Sequence, residues 1–202
     1  MSSNDRIYRL LNYKNLLYRL KAIGFVKVFS DNIADTLEIS PSLVRKDFRE
    51  FGITGTQKGG YRIDSIIETI NKILGKTRNH KIVVVGSGRI GQALVNYPGF
   101  SRDKIFISAV FDIDPDKITE SANIPVLPVT RLQEYVHNNK VELAILAVPE
   151  SAAQNCFDLL IKSGIKGILN FTSLNFKANG IITNNINIGH ELENLIFSIT
   201  NK

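Results

Sequence analysis

A glycine-rich stretch near the middle of the chain has the residue types and spacing of a phosphate-binding loop. HKIVVVGSGRIGQAL, residues 80–94, contains an apolar run that ends at Gly86, and Gly88 and Gly91 complete the pattern G-x-G-x-x-G. In such a loop the first glycine permits a tight turn, the second lets a pyrophosphate approach the backbone, and the third lets the next helix pack on the sheet. The helix N-terminus then faces the phosphates. The chemistry indicated is dinucleotide binding.

An acidic residue at the expected distance supports this interpretation, since glycine-rich turns also occur without a ligand. IFISAVFDID, residues 105–114, predicts a second strand, and Asp112 follows Gly91 by 21 residues. An acid at this place hydrogen-bonds the ribose hydroxyls of the adenosine. Asp112 and Asp114 together would repel a 2′-phosphate, so NAD(H) is predicted over NADP(H). Arg89 leaves an alternative open, because its cation could attract the additional phosphate.

The elements around the loop alternate as in a doubly wound fold. VELAILAVP, residues 141–149, predicts a strand buried on both faces, SAAQNCFDLLIKSG, residues 151–164, predicts a crossover helix, and GILNF, residues 167–171, predicts the next strand. Cys156 lies among the apolar residues of that helix and is predicted to be a core side chain rather than a nucleophile. The histidines lack a metal-ligand spacing, so no metal site is predicted. The predicted fold class is α/β, with a Rossmann-type doubly wound parallel sheet.

All of the excess positive charge lies upstream of this region. Residues 1–80 contain 14 Lys and Arg against 8 Asp and Glu, whereas residues 81–202 contain 11 of each. The difference predicts a basic module followed by a neutral one, and a basic module favours a polyanionic partner. A basic domain without such a partner is the alternative. The single cysteine, the lack of a signal-peptide pattern and the lack of an apolar run of ~20 residues predict a cytoplasmic protein without a membrane span.

The basic module has the helix spacing of a helix-turn-helix. Apolar residues recur at helical spacing from Asp5 onward, and Gly24 is predicted to end this first helix. Ser30 is predicted to cap a second, short helix, and Ser40 followed by Pro41 is predicted to open a third. Two helices joined by a turn of three or four residues are typical of this DNA-binding motif.

The third helix has one basic face and one apolar face. At ~100° per residue, its polar side chains fall together on one side, opposite Val44, Phe48 and Phe51. The residues of this face are Ser42, Arg45, Lys46 and Arg49. Since arginine reads guanine edges in the major groove and lysine holds phosphates, the face is predicted to bind DNA. An ordinary solvated helix face is the alternative.

A segment rich in glycine follows this helix. GITGTQKGGYRI, residues 52–63, predicts a hairpin that carries Lys58 and ends in a short strand, as in the wing of a winged helix. Lys58 and Tyr61 could reach a phosphate or a minor groove. Alternatively, the segment is a surface turn with Tyr61 packed inward. Asp64 is predicted to cap the next helix, and residues 75–80 are predicted to link the two modules.

The second module leaves little room for a substrate domain, because the predicted nucleotide domain occupies almost all of residues 81–202. This argues against an enzyme. It favours a sensor in which a nucleotide shifts the affinity for DNA. A small NAD-dependent oxidoreductase whose basic part only mediates dimerisation is the alternative from a different class.

Over nearly its whole length the chain resembles a known family, the redox-sensing transcriptional repressors called Rex. The stretches that carry the resemblance are LVRKDFREFG, GTQKGGY, KIVVVGSGRIGQALVNYPGF, VFDIDPDKI, AILAVPESAAQ and GIKGILNF. The resemblance implies a homodimer of winged-helix and Rossmann domains that binds palindromic operators, from which NADH but not NAD⁺ releases it. We expect these domains at residues 1–78 and 79–188. The family's C-terminal helix is exchanged between subunits, which the apolar spacing of residues 189–202 suits.

Carried over residue by residue, the resemblance predicts contacts to DNA and to the cofactor. Together with Ser42 and Arg49, the predicted DNA contacts are Arg45, Lys46, Lys58, Gly59, Gly60 and Tyr61. The predicted NAD(H) contacts are Gly86, Ser87, Gly88, Arg89, Ile90, Gly91, Asp112, Asp114, Val148 and Pro149. Tyr97 matches a family tyrosine that takes part in the redox switch.

The chain departs from the family pattern where sensing takes place. In the family, an arginine of the first helix and an aspartate near the C-terminus form an ion pair that depends on the redox state of the cofactor. The matching positions are Asn15 and Asn187. Two amides share hydrogen bonds but do not supply a charge-dependent switch. Arg89 stands where the family usually has asparagine, and Thr172-Ser173 stands where it has Ala-Pro. A related regulator that has lost its response to NAD(H) is therefore a further alternative.

Overall fold

The computed structural model describes residues 3–55, 59–120 and 122–201. The chain divides into two units, Met1–Arg78 and Asn79–Lys202, each with its own buried apolar core. None of the described helices has the length and the apolar content that a bilayer crossing requires.

The N-terminal unit combines helices with a small antiparallel sheet. Its elements are α1 (Ser3–Ala22), β1 (Lys27–Val28), α2 (Ser30–Leu37), α3 (Pro41–Glu50), β2 (Tyr61–Arg62) and α4 (Ile63–Ile73). The core forms where α1, α3 and α4 bury their apolar sides, among them Leu17, Val44 and Ile70. The ring of Phe48 meets that of Tyr13 edge to face, with centroids 5.6 Å apart. The apolar side of α3 is thereby fixed in the core, and its basic side is left outward.

The predicted start of α3 is confirmed. Pro41 is its first residue, and the Ser40 side chain accepts a hydrogen bond from the Leu43 backbone N–H at 3.2 Å. Proline suits this position because a backbone N–H there has no partner within the helix.

Two other predicted caps are wrong. Ser30 is the first residue of α2 rather than its cap, and the cap residue is Phe29, whose backbone N–H donates to the Asn32 side chain at 3.2 Å. Asp64 likewise lies inside the first turn of α4, where its carboxylate pairs with Lys21 at 2.7 Å. An acid in the first turn of α4, as Asp64 is, favours the helix start through its negative charge.

The short strand predicted at the end of the glycine-rich segment is present as β2, and its described partner is β1. β2 pairs antiparallel with β1, with Val28 opposite Tyr61 and Lys27 opposite Arg62. β1 is two residues long, so no alternating pattern marks it in the sequence. The predicted wing tip, with Lys58, lies outside the described residues.

The C-terminal unit contains a six-stranded parallel sheet in the order β5-β4-β3-β6-β7-β8. The strands are β3 (His80–Val85), β4 (Ile105–Asp112), β5 (Val126–Pro128), β6 (Leu143–Leu146), β7 (Gly167–Asn170) and β8 (Ile182–Asn185). The helices are α5 (Arg89–Val95), α6 (Gly99–Arg102), α7 (Leu132–Asn139), α8 (Glu150–Lys162) and α9 (Ile188–Thr200). The strand order reverses between β3 and β6, which confirms the doubly wound prediction. In such sheets a crevice opens at the carboxyl ends of the strands beside this reversal.

Apolar clusters cover both faces of the sheet. On one face α7 and α8 pack against strand residues such as Val83 and Phe111, and Cys156 is buried in this cluster, as predicted. A smaller cluster on the other face includes Ile82, Val84 and Ile145. With both faces covered, β3 and β6 read as continuous apolar runs.

Candidate DNA interface and nucleotide site

The structure brings the four predicted residues of α3 to one exposed face. Ser42, Arg45, Lys46 and Arg49 are exposed. Val44, Asp47 and Phe48 are buried on the opposite side of the same helix. Because the buried side fixes the rotation of α3 about its axis, the face has a defined orientation and is available to a groove of DNA.

A buried ion pair that sequence reasoning missed connects α3 to α1. The Asp47 carboxylate accepts hydrogen bonds from Arg9 Nε at 2.7 Å, from Arg9 Nη2 at 2.8 Å and from the Tyr13 hydroxyl at 2.7 Å. Asp47 is 1% exposed. An acid on the apolar side of a predicted helix is the signal that could have revealed it. Asp47 is adjacent to the exposed Lys46 and the buried Phe48 in α3. Its ion pair with Arg9 therefore holds the exposed face of this helix in place.

The charge state of this cluster follows from its contacts. Burial alone raises the pKa of the Asp47 carboxyl, but the hydrogen bonds from Arg9 and Tyr13 outweigh burial and hold that pKa below its ordinary value. Burial and the hydrogen bond to Asp47 raise the pKa of Tyr13, so its hydroxyl keeps the proton that it donates. The cluster is therefore an ionised pair with a neutral third member at neutral pH.

Arg45 is held by a second set of contacts that the sequence did not reveal. Its Nη1 donates to Ser30 Oγ at 3.0 Å and lies 3.3 Å from Asp31 Oδ1. The Arg45 side chain nevertheless keeps 51% of its surface exposed. The start of α2 thus supports the predicted base-reading arginine of α3.

Beside α3, the described part of the predicted wing is closely packed. The Tyr61 ring meets Phe48 edge to face with centroids 4.9 Å apart, which agrees with the alternative that Tyr61 packs inward. Gly60 has φ +66°, and a Cβ there would lie 2.7 Å from the Val28 carbonyl oxygen. Only glycine fits this approach of two backbones. Gly59 precedes it in a turn.

In the C-terminal unit, the three glycines of the predicted loop meet three different surroundings. Gly86 has φ +103°, and a Cβ there would collide with the Ala147 carbonyl oxygen. A Cβ on Gly91 would collide with the Gly86 carbonyl oxygen, so α5 packs directly on the loop. Around Gly88 a Cβ would meet no atom within 4 Å. The open side of the loop is therefore at Gly88, where the pattern places a pyrophosphate.

Asp112 is tied to this loop rather than left free at the end of β4. Its Oδ2 accepts hydrogen bonds from the Ser87 backbone N–H at 2.7 Å and from Ser87 Oγ at 2.8 Å, and its Oδ1 accepts from the Asp114 N–H at 3.0 Å. Burial raises the pKa of Asp112, but these donors outweigh it and hold the pKa below its ordinary value. The structure adds a loop-holding role to the predicted ribose contact, and Asp114 is the more exposed of the two acids.

A lysine that sequence reasoning missed lies between the two acids. A short 3-10 helix, Pro115–Lys117, brings Lys117 Nζ to 3.3 Å from Asp114 Oδ2 and 3.6 Å from Asp112 Oδ2. The spacing D-x-D-P-x-K was the available signal. The hydrogen bond to Asp114 raises the pKa of Lys117, so its ammonium offsets one of the two negative charges. With Lys117 present, the site has a smaller net negative charge than Asp112 and Asp114 alone would give. The predicted repulsion of a 2′-phosphate is weaker for this reason.

A cavity of about 300 Å³ opens where these elements meet. Gly86, Gly88, Asp112 and Asp114 line it from the loop and from β4. Val148 and Pro149, which follow β6, close the other side. Arg89 and Ile90 are exposed at the start of α5. In the described part of the chain, no group of three His, Cys, Asp or Glu is placed to hold a metal ion.

The predicted switch residues lie at exposed or partly exposed positions of their own units. Asn15 is exposed on α1. Tyr97 is 55% exposed, with its ring 5.0 Å from that of Phe100. Asn187 caps α9, since its Oδ1 accepts a hydrogen bond from the His190 N–H at 3.1 Å. An aspartate would cap this helix equally well, so the asparagine is not required by the fold.

Known proteins resemble the chain over nearly its full length. The family model described as CoA binding domain matches residues 77–174. The redox-sensing transcriptional repressor Rex of Carboxydothermus hydrogenoformans is 39% identical over 196 residues, which cover 96% of this chain and 94% of the relative. Rex 1 of Thermotoga maritima is 37% identical with the same two coverages.

A solved structure agrees in fold as well. The crystal structure of RSP in complex with β-NAD⁺ and operator DNA has a TM-score of 0.91 and 27% identity, and the match covers 99% of this chain and 93% of that one. RSP in complex with β-NADH has a TM-score of 0.85. RSP is itself described as a Rex-family repressor. With its identity to these relatives and a fold shared from end to end, the chain belongs to the Rex family of redox-sensing transcriptional repressors.

Proposed function

We propose that the chain is a transcriptional repressor that binds a palindromic operator as a homodimer and loosens its hold when NADH replaces NAD⁺. One observation carries the proposal. The same chain presents an outward basic helix face, fixed from behind by a buried core and ion pair, and a glycine loop already shaped for a pyrophosphate.

On the DNA side, the four exposed residues of α3 have different roles. Arg45 and Arg49 have the donors that recognise guanine edges, whereas Lys46 neutralises a phosphate and Ser42 hydrogen-bonds at the start of the helix. Beside this groove, the sugar–phosphate backbone of the DNA would be contacted by Lys58, Gly59 and Gly60. A two-fold dimer places two such helices on two half-sites, which is why the operator would be palindromic.

On the nucleotide side, the residues present fit NAD(H). Gly88 leaves room for the pyrophosphate, Asp112 keeps the loop in shape through Ser87, and Asp114 is the acid with more exposed surface for a ribose. When bound, the nicotinamide would supply a ring whose charge differs between its oxidised and reduced forms. RSP, with the same fold, was solved with each of the two forms.

A direct test compares DNA binding with NAD⁺, with NADH and with no nucleotide. Band-shift titrations would use the full chain and a palindromic duplex selected from random DNA by the chain itself. We expect NADH to release the DNA and NAD⁺ to leave it bound. Equal affinity in the three conditions would contradict the redox response but not the DNA binding.

A second candidate is a Rex-like regulator that no longer responds to NAD(H). It is favoured by Asn15 and Asn187, which cannot form the charge-dependent pair of the family pattern. In this case the double variant Asn15→Arg, Asn187→Asp should gain a response to NADH that the wild type lacks. A full response in the wild type would reject this candidate.

We also propose that the chain has no hydride-transfer activity and acts in the cytoplasm, where its operator would be. The relatives compared above are repressors. An oxidoreductase would instead show NADH turnover and no salt-dependent DNA binding. A steep loss of DNA affinity with rising salt, from counterion release, would count against it.

A further inference from the structure

The Arg45 guanidinium is already oriented before any DNA is present. Its Nη1 donates to Ser30 Oγ at 3.0 Å and to Asp31 Oδ1 at 3.3 Å, and the two acceptors lie 3.3 Å from each other. We propose that Ser30 and Asp31 are positioning residues for Arg45, and that they set sequence discrimination rather than overall DNA affinity. The inference rests on the proposed operator binding.

The contacts of Arg45 occupy one edge of its guanidinium. A guanine is recognised by two parallel N–H groups on one edge of a guanidinium. Both contacts from α2 use Nη1, so the edge formed by Nε and Nη2 carries no hydrogen bond to the residues that the structure describes. Half of the side chain is exposed. The arginine is therefore held on one edge while the other is available for a base.

The fixed position of Arg45 also affects the entropy and the electrostatics of DNA binding. A free arginine loses much rotamer freedom when it binds a base, and an arginine that is already held loses less. Asp31 is largely exposed, so its carboxylate repels the phosphates of any duplex. It therefore weakens contacts in which Arg45 swings towards a phosphate, which are the contacts that non-cognate DNA offers. Both effects favour the operator relative to other sequences.

A matched pair of acids on α2 separates positioning from charge. Asp35 lies one turn after Asp31, is exposed, and has no ion pair or hydrogen bond to Arg45. Asp31→Ala and Asp35→Ala each remove one negative charge near the DNA, so both should strengthen binding to a shuffled duplex. Only Asp31→Ala should lower the ratio of operator affinity to shuffled-duplex affinity, by about three- to tenfold.

Ser30→Ala removes the other acceptor without any change in charge. We expect it to lower the operator affinity by about two- to fivefold and to leave the shuffled duplex unaffected. Asp31 is also a favourable acid at the start of α2. Its loss in Asp31→Ala would alter only the stability of the variant, which urea unfolding measures separately. The affinity ratio, measured on folded protein at one salt concentration, would not respond to that loss.

A double-mutant cycle completes the test. If Asp31 acts through Arg45, then Asp31→Ala should have no further effect on the ratio in an Arg45→Ala background. The inference is overturned if the ratio still falls there, or if the Asp31 and Asp35 variants change it equally. If the wild type prefers its operator and Asp31→Ala keeps the full preference, the inference is overturned but the proposed function stands. A wild type without any operator preference overturns the proposed function together with it.

Discussion

Single residues in this chain owe their type to neighbours that a sequence pattern does not name. The loop glycines are an example, because glycine is required for a different reason at each of the three motif positions. Gly86 and Gly91 are required by the protein itself, since an added Cβ would meet a carbonyl oxygen at either position. Gly88 is required only if something else approaches it.

The glycines give the first prediction. Gly86→Ala should destabilise the C-terminal unit by about 2 kcal/mol or more, because its φ is left-handed and its Cβ would collide with backbone. The free energy of unfolding of Gly88→Ala should be within about 0.5 kcal/mol of the wild-type value, since the φ of Gly88 is −69° and the space beside it is open. Its NADH affinity should still fall by at least about tenfold, because a pyrophosphate needs that space.

Urea unfolding and calorimetric titration with NADH would measure the two effects. A Gly88→Ala variant that binds NADH as tightly as the wild type would show that the phosphates do not approach this side of the loop.

Asp47 gives the second prediction. Asp47→Asn should destabilise the N-terminal unit by about 3 kcal/mol or more, since it leaves the largely buried Arg9 guanidinium without its charge partner. The folded-state pKa of Asp47 is lowered, so its contribution is complete above the ordinary carboxyl pKa of 3.8 and is lost as the pH falls through the lower folded value. The variant should lack this part of the acid destabilisation.

Unfolding free energies from pH 7 downward would reveal both parts. Asp35→Asn, at an exposed position, is the matched control and should follow the wild type. Parallel stability curves for the wild type and Asp47→Asn across the acid range would contradict the assigned role of the carboxylate.

At the scale of elements, a buried amide network joins β7, the loop after it and β8. Asn170 is fully buried, and its Nδ2 donates to the Leu174 carbonyl at 2.6 Å and to Asn185 Oδ1 at 2.9 Å. Its Oδ1 accepts from the Thr172 N–H at 3.0 Å and from Thr172 Oγ1 at 2.8 Å. All hydrogen-bonding positions of this amide are used. The network fixes the loop that carries Thr172-Ser173, where the chain departs from the family pattern.

The third prediction follows from this network. Asn170→Ala should cost about 2–4 kcal/mol of unfolding free energy, because it removes the acceptor of the buried Thr172 N–H and hydroxyl. Asn184→Ala, one residue along β8 and exposed, should change stability by less than about 0.5 kcal/mol. Chemical unfolding of both variants would test this. Equal stabilities would mean that water replaces the lost amide.

At the scale of the whole molecule, α9 exposes a row of apolar side chains in the single chain. Leu192, Leu195, Ile196 and Ile199 lie on one side of the helix and are each more than half exposed. Apolar side chains grouped in this way mark an interaction surface. The exchange of this helix between two subunits, as the family resemblance implies, would bury them.

The fourth prediction tests this surface. Ile196→Glu should convert the proposed dimer to monomers and weaken operator binding by about a hundredfold or more, because one half-site alone remains engaged. Asn194→Glu adds the same charge on the opposite side of α9 and should leave the dimer intact. Sedimentation velocity would measure the assembly state. An Ile196→Glu dimer of wild-type stability would place the subunit interface elsewhere.

The sequence by itself determined the features that depend on near neighbours. The glycine loop, the cap at Ser40, the two faces of α3 and the alternation of strands and helices all follow from spacings of a few residues, because backbone geometry repeats over that range. The family resemblance added the order of these features. The departures at Asn15 and Asn187 are likewise visible in the sequence alone.

Only the tertiary structure decided the contacts between segments far apart in the chain. Asp47 meets Arg9 across 38 residues, Asp112 meets Ser87 across 25, and Arg45 meets Ser30 across 15. β1 likewise acquires its strand character from its pairing with β2. Packing of the whole core selects such partners, and a polar residue shows no periodicity that would name the group it will meet. The local pattern therefore supplied the functional surfaces, and long-range packing supplied the residues that hold them in position.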